Sequence, residues 1–229
     1  MAIVKKYPAE VVSVINSIEG VYTVEFRSLG KPFRYEPGQF LHLALDAFDP
    51  AEQWPDSRCF SMQTSPDEDF IRITYAIKGN FTKQMEATLK PGKEVTLKMP
   101  YGDLFTQEHE KTNSVFIAGG TGITPFLSLF THTSFIHYDK PVLYAGFRNQ
   151  QMNMYAKELS KAKEINAGFE WYTVYEDTAG RLNIEDILNQ CGAESTFFIS
   201  GPPIMIKSFK DYLLNAGVSQ NNVLTDDWE

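Results

Sequence analysis

The chain has 229 residues, enough for one large domain or two modest ones, and its 43% hydrophobic and 22% charged residues exclude a disordered or fibrous chain. The formal net charge of −8 argues against nucleic acid as the main partner, because phosphate neutralisation needs a basic surface. No apolar run approaches the roughly 20 residues that span a bilayer, and Lys5 and Lys6 lead into no apolar stretch. Neither membrane insertion nor a secretory signal is expected, so a cytoplasmic location is.

Two distant cysteines, Cys59 and Cys191, fit a reducing compartment rather than a disulfide scaffold, and they are too few for a cysteine-ligated iron–sulfur cluster. His42, His109, His132 and His137 have no ligand spacing, so no metal site is expected.

Up to Pro100 the pattern has period two. Tyr22, Val24 and Phe26 alternate with Thr23, Glu25 and Arg27; Ile71, Ile73, Tyr75 and Ile77 alternate with Arg72, Thr74, Ala76 and Lys78; Val95, Leu97 and Met99 alternate with Thr96 and Lys98. Such runs are half-buried antiparallel strands, and the turn residues between them (Pro37-Gly38, Pro66-Asp67, Pro91-Gly92, Gly102-Asp103) suggest a small barrel or sandwich. Residues 81–89 read as a short helix, with Phe81, Met85 and Leu89 four apart.

Arg58-Cys59-Phe60-Ser61 lies in one of these strands. If the next hairpin turns near Asp67, residue 58 pairs with residue 76, and Arg58 falls beside Gly79 and the start of that helix. A guanidinium facing backbone N–H groups makes a pyrophosphate clamp, with Phe60 and Ser61 offering a flat face and a hydroxyl to a planar ring. A surface arginine, a core phenylalanine and a helix cap would produce the same residues.

Residues 106–113 are polar and read as a linker between domains at 1–107 and 108–229. Beyond them, apolar strands at 115–118, 142–147, 169–175, 196–200 and 222–225 alternate with helical stretches at 126–130, 155–165, 184–188 and 204–214. That alternation predicts a mostly parallel sheet built from βαβ units. The first strand runs into Gly119-Gly-Thr-Gly-Ile-Thr-Pro125 and then an apolar helix, which places a phosphate at a helix N-terminus. Gly120 and Gly122 let the backbone approach a pyrophosphate, Thr121 and Thr124 supply hydroxyl donors, and Pro125 suits the first helical turn. A tight βα turn without ligand is the alternative. Ser200-Gly201-Pro202-Pro203-Ile204-Met205 ends a strand at the same carboxyl edge, where open α/β sheets bind ligands, and Ser200 would face that crevice.

Taken together, these motifs resemble the ferredoxin–NADP reductase superfamily along the whole chain. Its flavin motif Arg-x-Tyr/Phe-Ser corresponds to Arg58, Phe60 and Ser61, and its Gly-x-x-Ser/Thr loop to Gly79 and Thr82. Its Gly-Gly-Thr-Gly-Ile-Thr-Pro loop stands at 119–125, and its Cys-Gly-Pro-Pro-x-Met motif at Ser200 to Met205 with serine for cysteine. The resemblance implies a six-stranded Greek-key flavin-binding barrel followed by a Rossmann-like dinucleotide-binding domain. It implies FAD held by Arg58, Cys59, Phe60, Ser61, Tyr75, Ile77, Gly79, Asn80, Phe81 and Thr82, with Ser61 near flavin N5. NAD(P)H would lie along Gly120, Thr121, Gly122, Ile123, Thr124, Arg148, Gly201, Pro202 and Met205. The nicotinamide would sit near Ser200, so Ser61 and Ser200 are the catalytic candidates. Asp226 and Trp228 loosely match a tail in which an acid and an aromatic cover the flavin.

The expected activity is therefore NAD(P)H-dependent flavin oxidoreduction. The acidic pair Glu176 and Asp177 after the third strand favours NADH. The acceptor would be a separate redox protein such as a ferredoxin or an oxygenase component. The alternatives are a diffusible acceptor, such as free flavin, a quinone or an iron chelate, and a flavin- and dinucleotide-binding sensor with little turnover.

Overall fold

A computed structural model describes residues 3–49 and 51–226. The first sheet contains β1 (Lys5–Ile18), β2 (Val21–Ser28), β3 (Phe40–Ala44), β4 (Ser57–Ser61), β5 (Phe70–Ala76) and β6 (Glu94–Tyr101), with the helix α1 (Asn80–Thr88) between the last two. The strands run in the order β4-β3-β6-β1-β2-β5, all antiparallel. β6 returns to lie beside β3, the long connection of a Greek key. One face of the period-two pattern fills the interior: Val24, Phe26, Leu41, Leu43, Met62, Ile71 and Ile73 are fully buried in one cluster. The edge strands approach each other where Gln63 N–H donates to the Arg72 carbonyl (2.8 Å), which curls the sheet toward closure.

The expected pairing of residues 58 and 76 does not form. Arg58 lies opposite Leu43 on β3, and Tyr75 opposite Tyr22 on β2. The connection between β4 and β5 is anchored by Tyr35, whose hydroxyl lies 3.0 Å from the Thr64 carbonyl and 3.2 Å from the Ser65 carbonyl. β4 pairs with β3, the strand before it, and β5 with β2, a strand distant in sequence. Arg58 still reaches α1, its guanidinium carbon 5.1 Å from the Phe81 ring centre, by curvature of the barrel rather than by the hairpin.

The second sheet is parallel, in the order β11-β10-β7-β8-β9: β7 (Ser114–Gly119), β8 (Val142–Phe147), β9 (Glu170–Tyr175), β10 (Thr196–Ser200) and β11 (Val223–Thr225). Alternate residues of its central strands feed different layers. Phe116, Ala118 and Phe198 pack with α2 (Thr124–Phe130) and α3 (Ala156–Ile165), while Val115, Ile117, Phe197 and Ile199 pack with α5 (Ile184–Cys191) and α6 (Pro203–Asn215). Burial on both faces explains why these strands read as unbroken apolar runs. A short helical turn without counterpart in the sequence pattern, α4 (Glu176–Ala179), follows β9.

Just before the polar linker, Leu104 and Phe105 dock into the second core, Phe105 lying 5.2 Å from Phe198. The same ring presses on Gly38, where an added Cβ would meet it at 2.4 Å, so one side chain ties the barrel to the parallel sheet.

Candidate active site

Phe60 and Tyr75 meet edge to face (6.1 Å) on the barrel, and Tyr22 stacks on Tyr75 (5.5 Å, 18°). Ser61 Oγ and Tyr75 OH are both buried with no hydrogen-bond partner among the described residues. A buried unsatisfied hydroxyl costs about 1–3 kcal/mol, and such groups mark a place where a polar partner binds. Burial also pushes the Tyr75 hydroxyl up, so it stays a protonated donor near neutral pH. Two donors around aromatic rings suit a planar ligand with polar edges.

At the mouth of this surface α1 begins. Gly79 precedes it with open space where a side chain would be, and Asn80 is exposed. Thr82 is spent within the turn, since Oγ1 accepts from Lys78 and Gly79 N–H (2.9 and 3.1 Å) and donates to Gly79 O (3.0 Å). Arg58 donates to Asp56 and to the Ser57 carbonyl (2.7 Å), and its guanidinium lies over Phe81. Ile77 N–H continues the ladder to Gly20 O (2.9 Å). The Cys59 side chain is engaged by His42 (3.5 Å) on β3.

The glycine loop leaves the carboxyl end of β7 as a 3-10 turn over Gly120–Ile123 and enters α2 with Pro125 in its first turn. β5, which carries Tyr75, touches this turn, so the two surfaces adjoin. The glycines have different tasks. Gly120 has φ +56° and open space, whereas a Cβ on Gly122 would lie 2.5 Å from both Gly201 Cα and Ser200 O. Of the two glycines expected to admit a pyrophosphate, Gly120 is open; Gly122 seats the loop on Ser200–Gly201. A Cβ on Gly119 would strike Met205 and Pro202 (2.8 Å), and Met205 in turn packs against Gly201.

Two further side chains of the loop turn inward. Thr124 donates its hydroxyl hydrogen to Thr121 O (2.8 Å), so it braces the loop instead of offering a donor outward. The Ile123 side chain is fully buried in the core beside α2, leaving only its backbone at the loop surface. Thr121 is half-buried. Arg148, at the end of β8, has an exposed side chain, and its carbonyl accepts Asp177 N–H (3.1 Å). Ser200 lies at the carboxyl edge but is 3% exposed, donating to Asp226 Oδ2 (3.1 Å). Trp228 lies outside the described residues. The sequence pattern gave no reason to single out Tyr22; the β2–β5 register, which sets it against Tyr75, is the signal that finds it.

Among the described residues no group of three or more His, Cys, Asp or Glu is placed to hold a metal ion, and no helix is long and apolar enough to cross a membrane.

Residues 116–211 match the family model described as the oxidoreductase NAD-binding domain. The chain is 27% identical over 210 residues to flavohemoprotein A of Dictyostelium discoideum, covering 85% of this chain and 53% of that protein. It is 28% identical over 157 residues to one component of the Na(+)-translocating NADH-quinone reductase of Idiomarina loihiensis, covering 62% of this chain and 38% of that one. The chain thus spans about half or less of the length of these relatives. Its fold matches a crystal structure of a ferredoxin NADP+ reductase from Neisseria gonorrhoeae with bound FAD and NADP, at a TM-score of 0.79 and 19% identity over 96% of this chain and 97% of that chain.

Proposed function

We propose that this chain, which has the two-domain fold of the ferredoxin–NADP reductase-like flavoproteins and carries an oxidoreductase NAD-binding domain, is an NAD(P)H-dependent FAD oxidoreductase that hands electrons to a separate redox protein. The observation that carries the reading is the pair of unsatisfied buried hydroxyls, Ser61 on β4 and Tyr75 on β5, the latter strand adjoining a dinucleotide-type glycine loop. FAD, when bound, accepts two electrons from a nicotinamide donor and releases them singly or in pairs.

The chain's own work is holding and orienting. In this reading Phe60, Ser61, Tyr75, Ile77 and the Cys59 backbone receive the flavin ring, with Ser61 and Tyr75 donating to its polar edge. Arg58 and the backbone of 79–82 receive the pyrophosphate, with the Thr82 hydroxyl bracing that turn. The backbone of 120–124, with Arg148, Gly201, Pro202 and Met205, receives the nicotinamide dinucleotide, and Ser200 lines the nicotinamide end. No side-chain acid or nucleophile is required, so catalysis is by positioning.

We favour NADH over NADPH. Glu176 and Asp177 follow β9, and Glu176 neutralises the nearby Arg181 (2.8 Å), a base that a 2′-phosphate would want. A quinone or other diffusible acceptor is the second reading, favoured by the likeness to a component of an NADH-quinone reductase. A cytoplasmic location belongs to the same proposal and rests on two free cysteines far apart in the chain.

Purified protein should show an oxidised-flavin band near about 450 nm that NADH bleaches anaerobically within seconds, faster than NADPH. The Arg58→Ala variant should lose flavin on purification while any protein still loaded bleaches at nearly the parent rate. A flavin-loaded protein that neither nucleotide bleaches refutes the enzyme reading; full flavin retention by Arg58→Ala refutes the clamp.

A further inference from the structure

Two residues beyond Ser61 on the barrel, Gln63 is 4% exposed and carries a side chain that reaches the other domain. Its Nε2 donates to Glu158 Oε1 on α3 (3.2 Å), and its Oε1 accepts from Thr74 Oγ1 (2.7 Å). Thr74 also meets Thr23 Oγ1 (3.0 Å). A hydroxyl has one hydrogen, and the Gln63 oxygen takes that of Thr74, so Thr23 must donate to Thr74. The carboxylate fixes the Gln63 amide orientation in the same way. A directed chain, Thr23 to Thr74 to Gln63 to Glu158, therefore ends on one carboxylate, and each link polarises the next.

Arg72 stands beside the chain's end, 3.8 Å from Glu158 and 3.1 Å from Glu25. The adjacent Thr64 is held from the nucleotide side as well, since Ser128 on α2, fully buried, donates to its carbonyl (2.8 Å). α2 begins at the glycine loop, and α3 packs on α2. Residues 63–64, which follow the flavin-facing strand, are thus gripped by α2, which carries the nucleotide-facing loop, and by α3, which packs on α2.

We propose that Glu158, acting through Gln63, is a positioning residue that fixes the Ser61 strand end against the 120–124 loop and so sets the gap across which the two cofactors meet. The proposal deepens the oxidoreductase reading and rests on it for its catalytic consequence. Neither residue is among those assigned above to the flavin or the dinucleotide. The groove these residues line with Thr64, Glu68 and Lys161 has a volume of ≈ 190 Å³.

The test compares Glu158→Ala with Glu158→Gln in the full chain. The glutamine keeps an oxygen that accepts from Gln63; the alanine does not. Without nucleotide, amide exchange at 62–64 and along α2 should quicken in Glu158→Ala and return to the parent value in Glu158→Gln. Flavin content should stay unchanged in both. At saturating NADH the bleaching rate of Glu158→Ala should fall about ten- to hundredfold, the order expected for a misplacement of about 1 Å, with NADH half-saturation little changed and glutamine restoring the rate. Unaltered exchange in Glu158→Ala, or identical behaviour of the two variants, overturns the proposal. A parent protein that NADH fails to bleach, with exchange responding as stated, would refute the oxidoreductase reading and leave the clamp standing.

Discussion

Ser200 Oγ donates a hydrogen bond to Asp226 Oδ2 across 3.1 Å, joining the ends of two neighbouring parallel strands. The register makes the meeting unavoidable: Ile199 lies opposite Thr225, and Asp226 N–H continues the ladder to Ile199 O (3.0 Å). Ser200 therefore has its hydroxyl hydrogen committed, while its backbone carbonyl lies against the Gly122 turn. Replacing Asp226 by Ala releases that hydroxyl. We expect flavin content to hold and NADH-driven bleaching to slow by about tenfold, the worth of about 1.4 kcal/mol in a barrier. Stopped-flow absorbance on Asp226→Ala and Ser200→Ala checks this; parent-like rates in both would mean that the pair serves only the strand ends.

Gly120 and Gly122 should separate binding from folding. In Gly122→Ala the new Cβ meets backbone atoms at 2.5 Å, which cannot swing aside. Overpacking of this kind costs about 1–3 kcal/mol, or about 2–4 °C in Tm per kcal/mol for a chain of this size. Gly120→Ala meets no atom within 4 Å and pays only for its φ of +56°, about 1–2 kcal/mol. NADH affinity should suffer more than Tm at Gly120, and Tm at least as much as affinity at Gly122. Thermal melting and NADH titration of the two variants give the comparison, and a reversed order would reassign the glycines.

The division between these glycines marks where sequence reading stops. Period-two runs and two-sided apolar strands are local signals, and they located both sheets, the strand–loop–helix at 114–130 and the turn at 200–205. The pairing of β5 with β2 is non-local, and a hairpin argument that joined β5 to the preceding strand could not reach it. The loop motif fixes residue types, not the direction each faces, so it did not reveal that the Thr124 hydroxyl braces the loop or that Gly122 packs on Ser200–Gly201. Gln63 and Glu158 lie 95 residues apart and belong to no motif, so nothing short of the fold brings them together.

Nucleotide preference should turn on Glu176. It pairs with Arg181 at 2.8 Å on the turn after β9, and both side chains are exposed, so the pair contributes little to stability. Glu176→Gln removes a negative charge and frees a guanidinium without disturbing the fold. The ratio of NADPH to NADH efficiency should rise by about tenfold, with an unchanged Tm, because an available arginine favours the 2′-phosphate. Steady-state rates with both nucleotides test it. An unaltered ratio would place the ribose elsewhere on the carboxyl edge.

His109 makes stability pH-dependent in the segment joining the two sheets. Its Nδ1 lies 2.7 Å from Gln107 O, which only accepts, so Nδ1 carries the hydrogen and the neutral ring takes the Tyr138 hydroxyl at Nε2 (2.7 Å). Phe198 packs edge-on (5.1 Å). Burial holds the imidazole below its ordinary value of 6.5, outweighing the Gln107 carbonyl, with Lys111 lowering it further and Glu110 opposing. The folded state then binds protons less readily than the unfolded one. Its contribution is complete above about pH 6.5 and is lost as pH falls through the lower folded value. Urea unfolding at about pH 7.5 and about pH 5.5 should show a larger acid loss in the parent than in His109→Gln. Burial also lowers His42, which contributes equally to both proteins and cancels in the comparison. Equal losses would mean that the imidazole is free to take its proton without leaving this packing.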